Sequence, residues 1–171
     1  DPLGRRIAKK INGVITEKYL WGGLTQLLAV YDGANNLLMR FQYTDERMPY
    51  IMTVGESTYY LLYNQVGSLR AVYDSSGTIV KRIDYDTFGN VLTDTAPTFT
   101  VPFGFAGGLR DVDTGLVHFG YRDYDPETGR WTAKDPIGFD GGDVDLYGYV
   151  ENDPVNWVDP AGLEALSLYY G

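Results

Sequence analysis

One short unit, recurring along the first half of the chain, limits what this sequence can fold into. Tyr, then Asp or Asn, two residues and Gly appear at Tyr63-Asn64-x-x-Gly67, Tyr73-Asp74-x-x-Gly77 and Tyr85-Asp86-x-x-Gly89. Tyr31-Asp32-Gly33 is a shorter version, and Asp1-x-x-Gly4 is the same unit without its Tyr. The Tyr ends a strand and lays its ring over the sheet. The Asp or Asn side chain bonds the backbone two residues on and starts a turn, and Gly takes the positive-φ position that closes it. Tyr63 to Tyr73 is ten residues and Tyr73 to Tyr85 twelve, the spacing of a strand plus a turn. Alternation between turns predicts Leu69, Ala71 and Tyr73 on one face, with Arg70, Val72 and Asp74 on the other. Ile79, Ile83 and Tyr85 likewise oppose Arg82 and Asp84, with Lys81 breaking the pattern. Residues 25–30 and 37–43 read as two arms around the turn at Tyr31. No amphipathic helix stands out before residue 90. A mainly β fold is predicted, an antiparallel meander of hairpins.

Residues 1–92 carry this repeat region, and the polar, Pro-containing stretch 93–98 reads as a loop. A second block, 101–163, follows, with turns at Asp113-Thr114-Gly115 and Asp125-Pro126-Glu127-Thr128-Gly129. It ends in two Asp-Pro-x-Gly units, Asp135-Pro136-Ile137-Gly138 and Asp159-Pro160-Ala161-Gly162. Residues 164–171 remain beyond Leu163. The opening at Asp1-Pro2, without Met, predicts an excerpt of a longer polypeptide with further repeats upstream. At 171 residues the chain can bury a core of its own. The net charge of −9 argues against nucleic acid and anionic membranes as partners, and no apolar run reaches the length of a membrane span. Charge is uneven: residues 1–18 hold five basic and two acidic side chains, whereas 135–171 hold eight acidic and none basic. With no Cys there is no disulfide or thiolate site, and His118 is the single His. Asp111-Val112-Asp113-Thr114-Gly115 hints at a calcium loop. Its twelfth position is Arg122, where such a loop needs a bidentate Glu, so no metal site and no cofactor are predicted.

The ordered run from Phe103 to Leu163 resembles the core-associated region of rearrangement-hotspot (Rhs) and YD-repeat proteins. The resemblance is carried by Phe103-x-Phe105-x-Gly107, Asp113-Thr114-Gly115-Leu116, Tyr121-Arg122-x-Tyr124-Asp125-Pro126-x-x-Gly129-Arg130-Trp131, the first Asp-Pro-x-Gly unit, Leu146-Tyr147-x-Tyr149-Val150-x-Asn152-x-Pro154-Val155-Asn156, and the second unit with Leu163. It implies a strip of hairpins spiralling into a hollow shell, with the C-terminal block folded inward as a plug; toxin-complex C subunits and teneurins look similar in that shell. It also implies self-cleavage between Leu163 and Glu164 at an aspartyl site matching Asp135 and Asp159, with Arg122 as the accompanying cation. The partners it implies are a downstream toxin segment and upstream repeats of the same shell, in a secreted or cell-surface setting. Phe139 departs from the Leu that often follows the first unit and leaves the carboxylates in place.

The chemistry is reasonable for such residues. One carboxylate, ionised, activates a water, while its protonated partner donates to the carbonyl or the leaving nitrogen. Two Asp in a dry site split their apparent pKa values, and an adjacent Arg holds one ionised or stabilises the oxyanion. A tethered substrate makes the step unimolecular and single-turnover. Other readings stay open here. The aspartates are also ordinary turn formers, in which case the chain is a structural or adhesive module. Arg122 pairs equally well, on paper, with Asp123 or Asp125. A glycan-binding surface of exposed Tyr and Trp is a third reading. His118, Trp131, Trp157, Tyr147 and Tyr149 are expected to pack, and free sheet edges invite pairing with a second copy.

Overall fold

In the computed structural model the described residues are 1–44 and 47–168. Nine antiparallel strands follow one another across a single sheet in chain order: β1 (Ala8–Ile11), β2 (Val14–Trp21), β3 (Leu27–Asp32), β4 (Leu37–Gln42), β5 (Ile51–Val54), β6 (Ser57–Tyr63), β7 (Leu69–Asp74), β8 (Ile79–Tyr85) and β9 (Val91–Asp94). A four-stranded sheet comes next, β10 (Leu109–Arg110), β11 (Val117–Phe119), β12 (Arg122–Asp125) and β13 (Arg130–Trp131), and then a two-stranded one, β14 (Trp157–Val158) and β15 (Leu166–Ser167). Among the described residues helix is limited to three short 3₁₀ turns.

The repeat unit builds its turns as its chemistry requires. Asp74 Oδ1 accepts from the N–H groups of Ser76 and Thr78 at 2.9 and 3.0 Å, and Gly77 donates to the Asp74 carbonyl at 3.0 Å with φ +84°. Asp86 does the same for Phe88, Asn90 and Gly89. The turn at Tyr31 is not a shortened unit. Asp32 caps Ala34 and Asn36 in the same frame, and Asn35, at φ +71°, sits where the other units place Gly. Asn tolerates that conformation better than most residues.

Each unit also breaks strand register at its Tyr. Bulges lie between Val30 and Tyr31, Leu62 and Tyr63, Val72 and Tyr73, and Asp84 and Tyr85. These bulges overturn part of the expected alternation. Leu69 and Val72 are both buried and Ile79 is exposed, while Lys81 points inward beside Ile83, where the alternation puts it. Lys81 is accommodated because Asp94 and the Ala96 carbonyl bind its ammonium at 2.7–2.9 Å. For the same reason β9 runs through Thr93 and Asp94, which the sequence assigned to a loop.

Leu27, Val30, Phe41, Met52, Leu61, Leu69, Val72 and Ile83 line the inner face of the large sheet against Phe103 and Leu109. A second cluster fills the C-terminal block, where Phe105, Phe119, Tyr124, Trp131 and Tyr149 meet ring to ring, Tyr124 and Tyr149 with centroids 4.5 Å apart. Such edge-to-face and offset contacts add to the burial itself. Tyr147 and Trp157, also expected to pack, are instead 42% and 36% exposed.

Gly77 has open space around its Cα, so a methyl group there meets nothing and only the left-handed backbone is penalised. Gly77→Ala is therefore expected to destabilise the chain by about 1–2 kcal/mol, measurable as a lowered urea midpoint with an unchanged slope.

Candidate active site

The two Asp-Pro-x-Gly units are folded alike and face one another. In the first, Asp135 Oδ1 accepts from the Ile137 N–H at 2.9 Å, Gly138 donates to the Asp135 carbonyl at 3.1 Å with φ +64°, and the Asp135 N–H donates to Leu146 O at 3.0 Å. Asp135 Oδ2 is left pointing inward. In the second, Asp159 Oδ1 accepts from the Leu163 N–H at 3.0 Å, and Gly162 closes the turn at φ +68°. Again Oδ2 is left free of the turn.

Arg122 occupies the space between them. β12 alternates, with Arg122 and Tyr124 inward, so the guanidinium enters from the strand that also carries the core. One terminal nitrogen lies 2.9 Å from Asp135 Oδ2 and 3.2 Å from Asp159 Oδ2. Nε donates to Gly162 O at 2.6 Å and the other nitrogen to Leu146 O at 3.4 Å. The guanidinium carbon stands 4.2 Å over the Trp131 ring, a cation–π placement. Side-chain exposure is 4% for Arg122, 8% for Asp135 and 3% for Asp159. The pairing with Asp123 or Asp125 does not occur: Asp123 binds His118 at 2.8 Å and Asp125 caps the Glu127 N–H.

Two acids and one cation in a dry site carry one negative charge too many. Burial raises the pKa of Asp159 above its ordinary value, opposed by the Leu163 N–H, by Arg122 and by the Glu164 N–H. Burial pulls Arg122 downward while both carboxylates hold it up, and a guanidinium stays cationic regardless. Asp159 is thus the acid inclined to keep a proton.

The bond joining Leu163 to Glu164 borders this trio. A methyl group on Gly141 would stand 2.8 Å from Leu163 O and 3.1 Å from Asp135 Oδ2, so the carbonyl and the carboxylate both crowd the same glycine. Sequence reasoning did not single out Gly141, because its packing role depends on a partner more than twenty residues away. A cleft of about 30 Å³ opens here, lined among others by Arg122, Asp135, Gly141, Asp159 and Leu163, room for a water. Val150 and Glu151 border it too, and with Asn152 they form three consecutive left-handed residues, at φ +44°, +54° and +61°. Each such residue stores about 1–3 kcal/mol. Beyond the bond, β15 pairs with β14, Val158 opposite Leu166.

The other sequence candidates lie elsewhere. Asp111 and Asp113 are ion-pair partners of Lys9, at 2.9 and 2.5 Å, and Asp111 also meets Arg6. The basic start of the chain thus meets acids at 111–123, outside the acidic stretch 135–171. His118 bridges Asp123 and Gly4 O, away from the carboxylate pair.

A bulged, unclosed strip of consecutive antiparallel hairpins packed against an aromatic block defines a YD-repeat shell segment. Residues 1–155 match the family described as Teneurin YD-shell, and the chain belongs to that family. Its relatives include Teneurin-3 of Danio rerio, 30% identical over 165 residues, covering 91% of this chain and 6% of that protein. The tRNA nuclease WapA of Bacillus subtilis (strain 168) is 34% identical over 168 residues, covering 95% and 7%. The chain thus spans under a tenth of the relatives' length. Among solved structures, the TcdB2–TccC3 crystal structure superposes with a TM-score of 0.58 at 23% identity, covering 91% of this chain and 10% of that one. The Photorhabdus luminescens Tc holotoxin pore gives 0.57 at 21%, covering 88% and 10%. Among the described residues no helix is long and apolar enough to cross a membrane.

Removing the cation isolates two buried carboxylates. Arg122→Met is expected to cost about 3–5 kcal/mol near neutral pH. The deficit should shrink on acidification as the stranded acids take up protons, visible in urea unfolding at two pH values.

Proposed function

We propose that this chain is the closing segment of a toxin-enclosing β-shell and that it cuts its own backbone between Leu163 and Glu164. The observation that carries the reading is the convergence of Asp135, Asp159 and Arg122 on the cleft that Leu163 also lines, with Asp159 accepting from the Leu163 N–H and Arg122 donating to Gly162 O. In the proposed reaction ionised Asp135 takes a proton from a water in the cleft, and the hydroxide adds to the Leu163 carbonyl carbon. Protonated Asp159, beside the Glu164 N–H, gives its proton to that nitrogen as the C–N bond breaks. The products are a carboxylate at Leu163 and an amine at Glu164. Arg122 keeps the two acids in register and in different protonation states. Substrate and catalyst share one chain, so positioning replaces a binding pocket and each molecule reacts once.

The segment downstream of Leu163 is then cargo, upstream repeats complete the shell, and the setting is secreted or cell-surface. The nuclease activity in the name of WapA belongs to that protein and supports only the general idea of a toxic cargo. The second reading, a purely structural or adhesive module, draws on the same guanidinium, which would then staple two turns together.

Intact mass separates the two. Loss of residues 164–171 from the parent, with retention in Asp135→Asn and Asp159→Asn, is the expected result; a parent and variants that all keep full mass would leave the staple. The rate should also fall as pH rises through the range above the ordinary aspartate value. Asp159 has its folded value raised, so the proton it must donate is present below that value and lost above it. A flat profile over that range would remove Asp159 from the acid role.

A further inference from the structure

Three backbone segments lie on one another beside the candidate site, with the Tyr121 ring also against the uppermost. Uppermost is Gly4, at φ +73°, in the stretch that leads into β1. A methyl group there would stand 2.8 Å from the Gly120 carbonyl group and 2.9 Å from the Tyr121 ring. The middle layer is the β11–β12 turn. Gly120 has φ +48°, a methyl group on it would overlap Ala161 O, and Tyr121 N–H donates to Ala161 O at 2.9 Å. The lowest layer is the final turn. A methyl group on Gly162 would overlap Phe119 O and reach 3.0 Å from the Arg122 nitrogen. That turn runs from Asp159 to the Leu163 N–H.

The upper layer is fastened to the block, not merely resting on it. His118 places Nε2 3.0 Å from Gly4 O and Nδ1 2.8 Å from Asp123. Arg6 reaches Asp111 at 3.4 Å and Asp123 at 3.6 Å, while its own carbonyl accepts from the Trp21 indole at 2.8 Å. Residues 4–6 therefore tie the first strands of the sheet to the β11–β12 turn. A close-packed stack of main chain cannot absorb a displacement by changing rotamers, so it passes it on.

We propose that Gly4 is a positioning residue for self-cleavage: docking of the segment before β1 sets Gly120, Gly120 sets Ala161 and Gly162, and these hold Asp159 and the Leu163 N–H in reacting geometry. The inference rests on the cleavage proposed above and adds a condition to it. The bond becomes cuttable only once the early part of the strip has closed over the late block.

Gly13 provides the control, because it shares the left-handed backbone (φ +83°) but has nothing within 4 Å of a methyl group. Gly4→Ala and Gly13→Ala thus carry similar backbone strain, and only the first disturbs the stack. Gly4→Ala should cut at least about tenfold more slowly than the parent, since about 1 Å of misplacement costs up to about a hundredfold. In an Asp135→Asn background, where the chain should stay whole, it should also speed hydrogen exchange of the Leu163 amide, while Gly13→Ala changes neither. Circular dichroism checks folding. Should Gly4→Ala not fold, His118→Gln, which loosens the fastening without adding bulk to the stack, should move both readouts in the same direction. A cutting parent whose rate and exchange are indifferent to Gly4→Ala, or to His118→Gln in its place, overturns this inference alone. A parent that stays whole removes the cleavage reading and this inference with it.

Discussion

A single buried guanidinium determines how the C-terminal block is assembled. Asp135 and Asp159 begin turns that are remote in sequence, and each uses one carboxylate oxygen to hold its own turn. The remaining oxygens face each other in a site too dry for two bare charges. Arg122 resolves this by meeting both, and by spending Nε on Gly162 O it also fixes the second turn's backbone. A Lys, with one point of charge and no planar fork, could not reach the same set of acceptors. The aromatic cluster follows from the same demand. Trp131 covers the guanidinium face, and Tyr124, Phe119 and Tyr149 support Trp131.

The strip serves that block through two devices repeated along it. Asp-capped turns reverse the chain without a long loop, and the bulge at each repeat Tyr bends the strand that follows. Bulges increase local twist and curvature, so a sheet of consecutive hairpins curls toward one face instead of lying flat. Its apolar face closes over Phe103 and Leu109. Its opening segment meets the acidic side of the four-stranded sheet through Arg6, Lys9 and His118.

What was legible in the sequence was what local chemistry decides. The turn frame at Asp74 and Asp86, the antiparallel meander and the absence of long helices follow from residues a few positions apart. The outward Ile79 did not, because a bulge shifts side-chain parity without changing composition. Asp135, Asp159 and Arg122 could be named only through a resemblance; nothing in their spacing brings two turns and a strand to one point. Gly141 and the left-handed run at Val150, Glu151 and Asn152 were hidden for a different reason. Gly-Gly reads as a turn wherever it occurs, and a β-branched residue in left-handed backbone contradicts every local preference. Such a conformation persists only where the surroundings impose it, here a cleft wall next to the carboxylates.

In the proposed cleavage one carboxylate has two duties that pull against each other. Asp159 orients the substrate by accepting from the Leu163 N–H, and every N–H it accepts stabilises its ionised form. As the proton donor to the leaving nitrogen it must instead be neutral. Burial outweighs the hydrogen bonds and leaves its pKa raised, so the depth of the site shifts the balance toward donation. A site of this kind gains reactivity by being closed. Water admitted beside Asp159 would solvate the carboxylate, lower its pKa and keep the orienting bond while removing the acid. Exclusion of solvent by the aromatic block and the strip above it would then be part of the chemistry as well as of the fold.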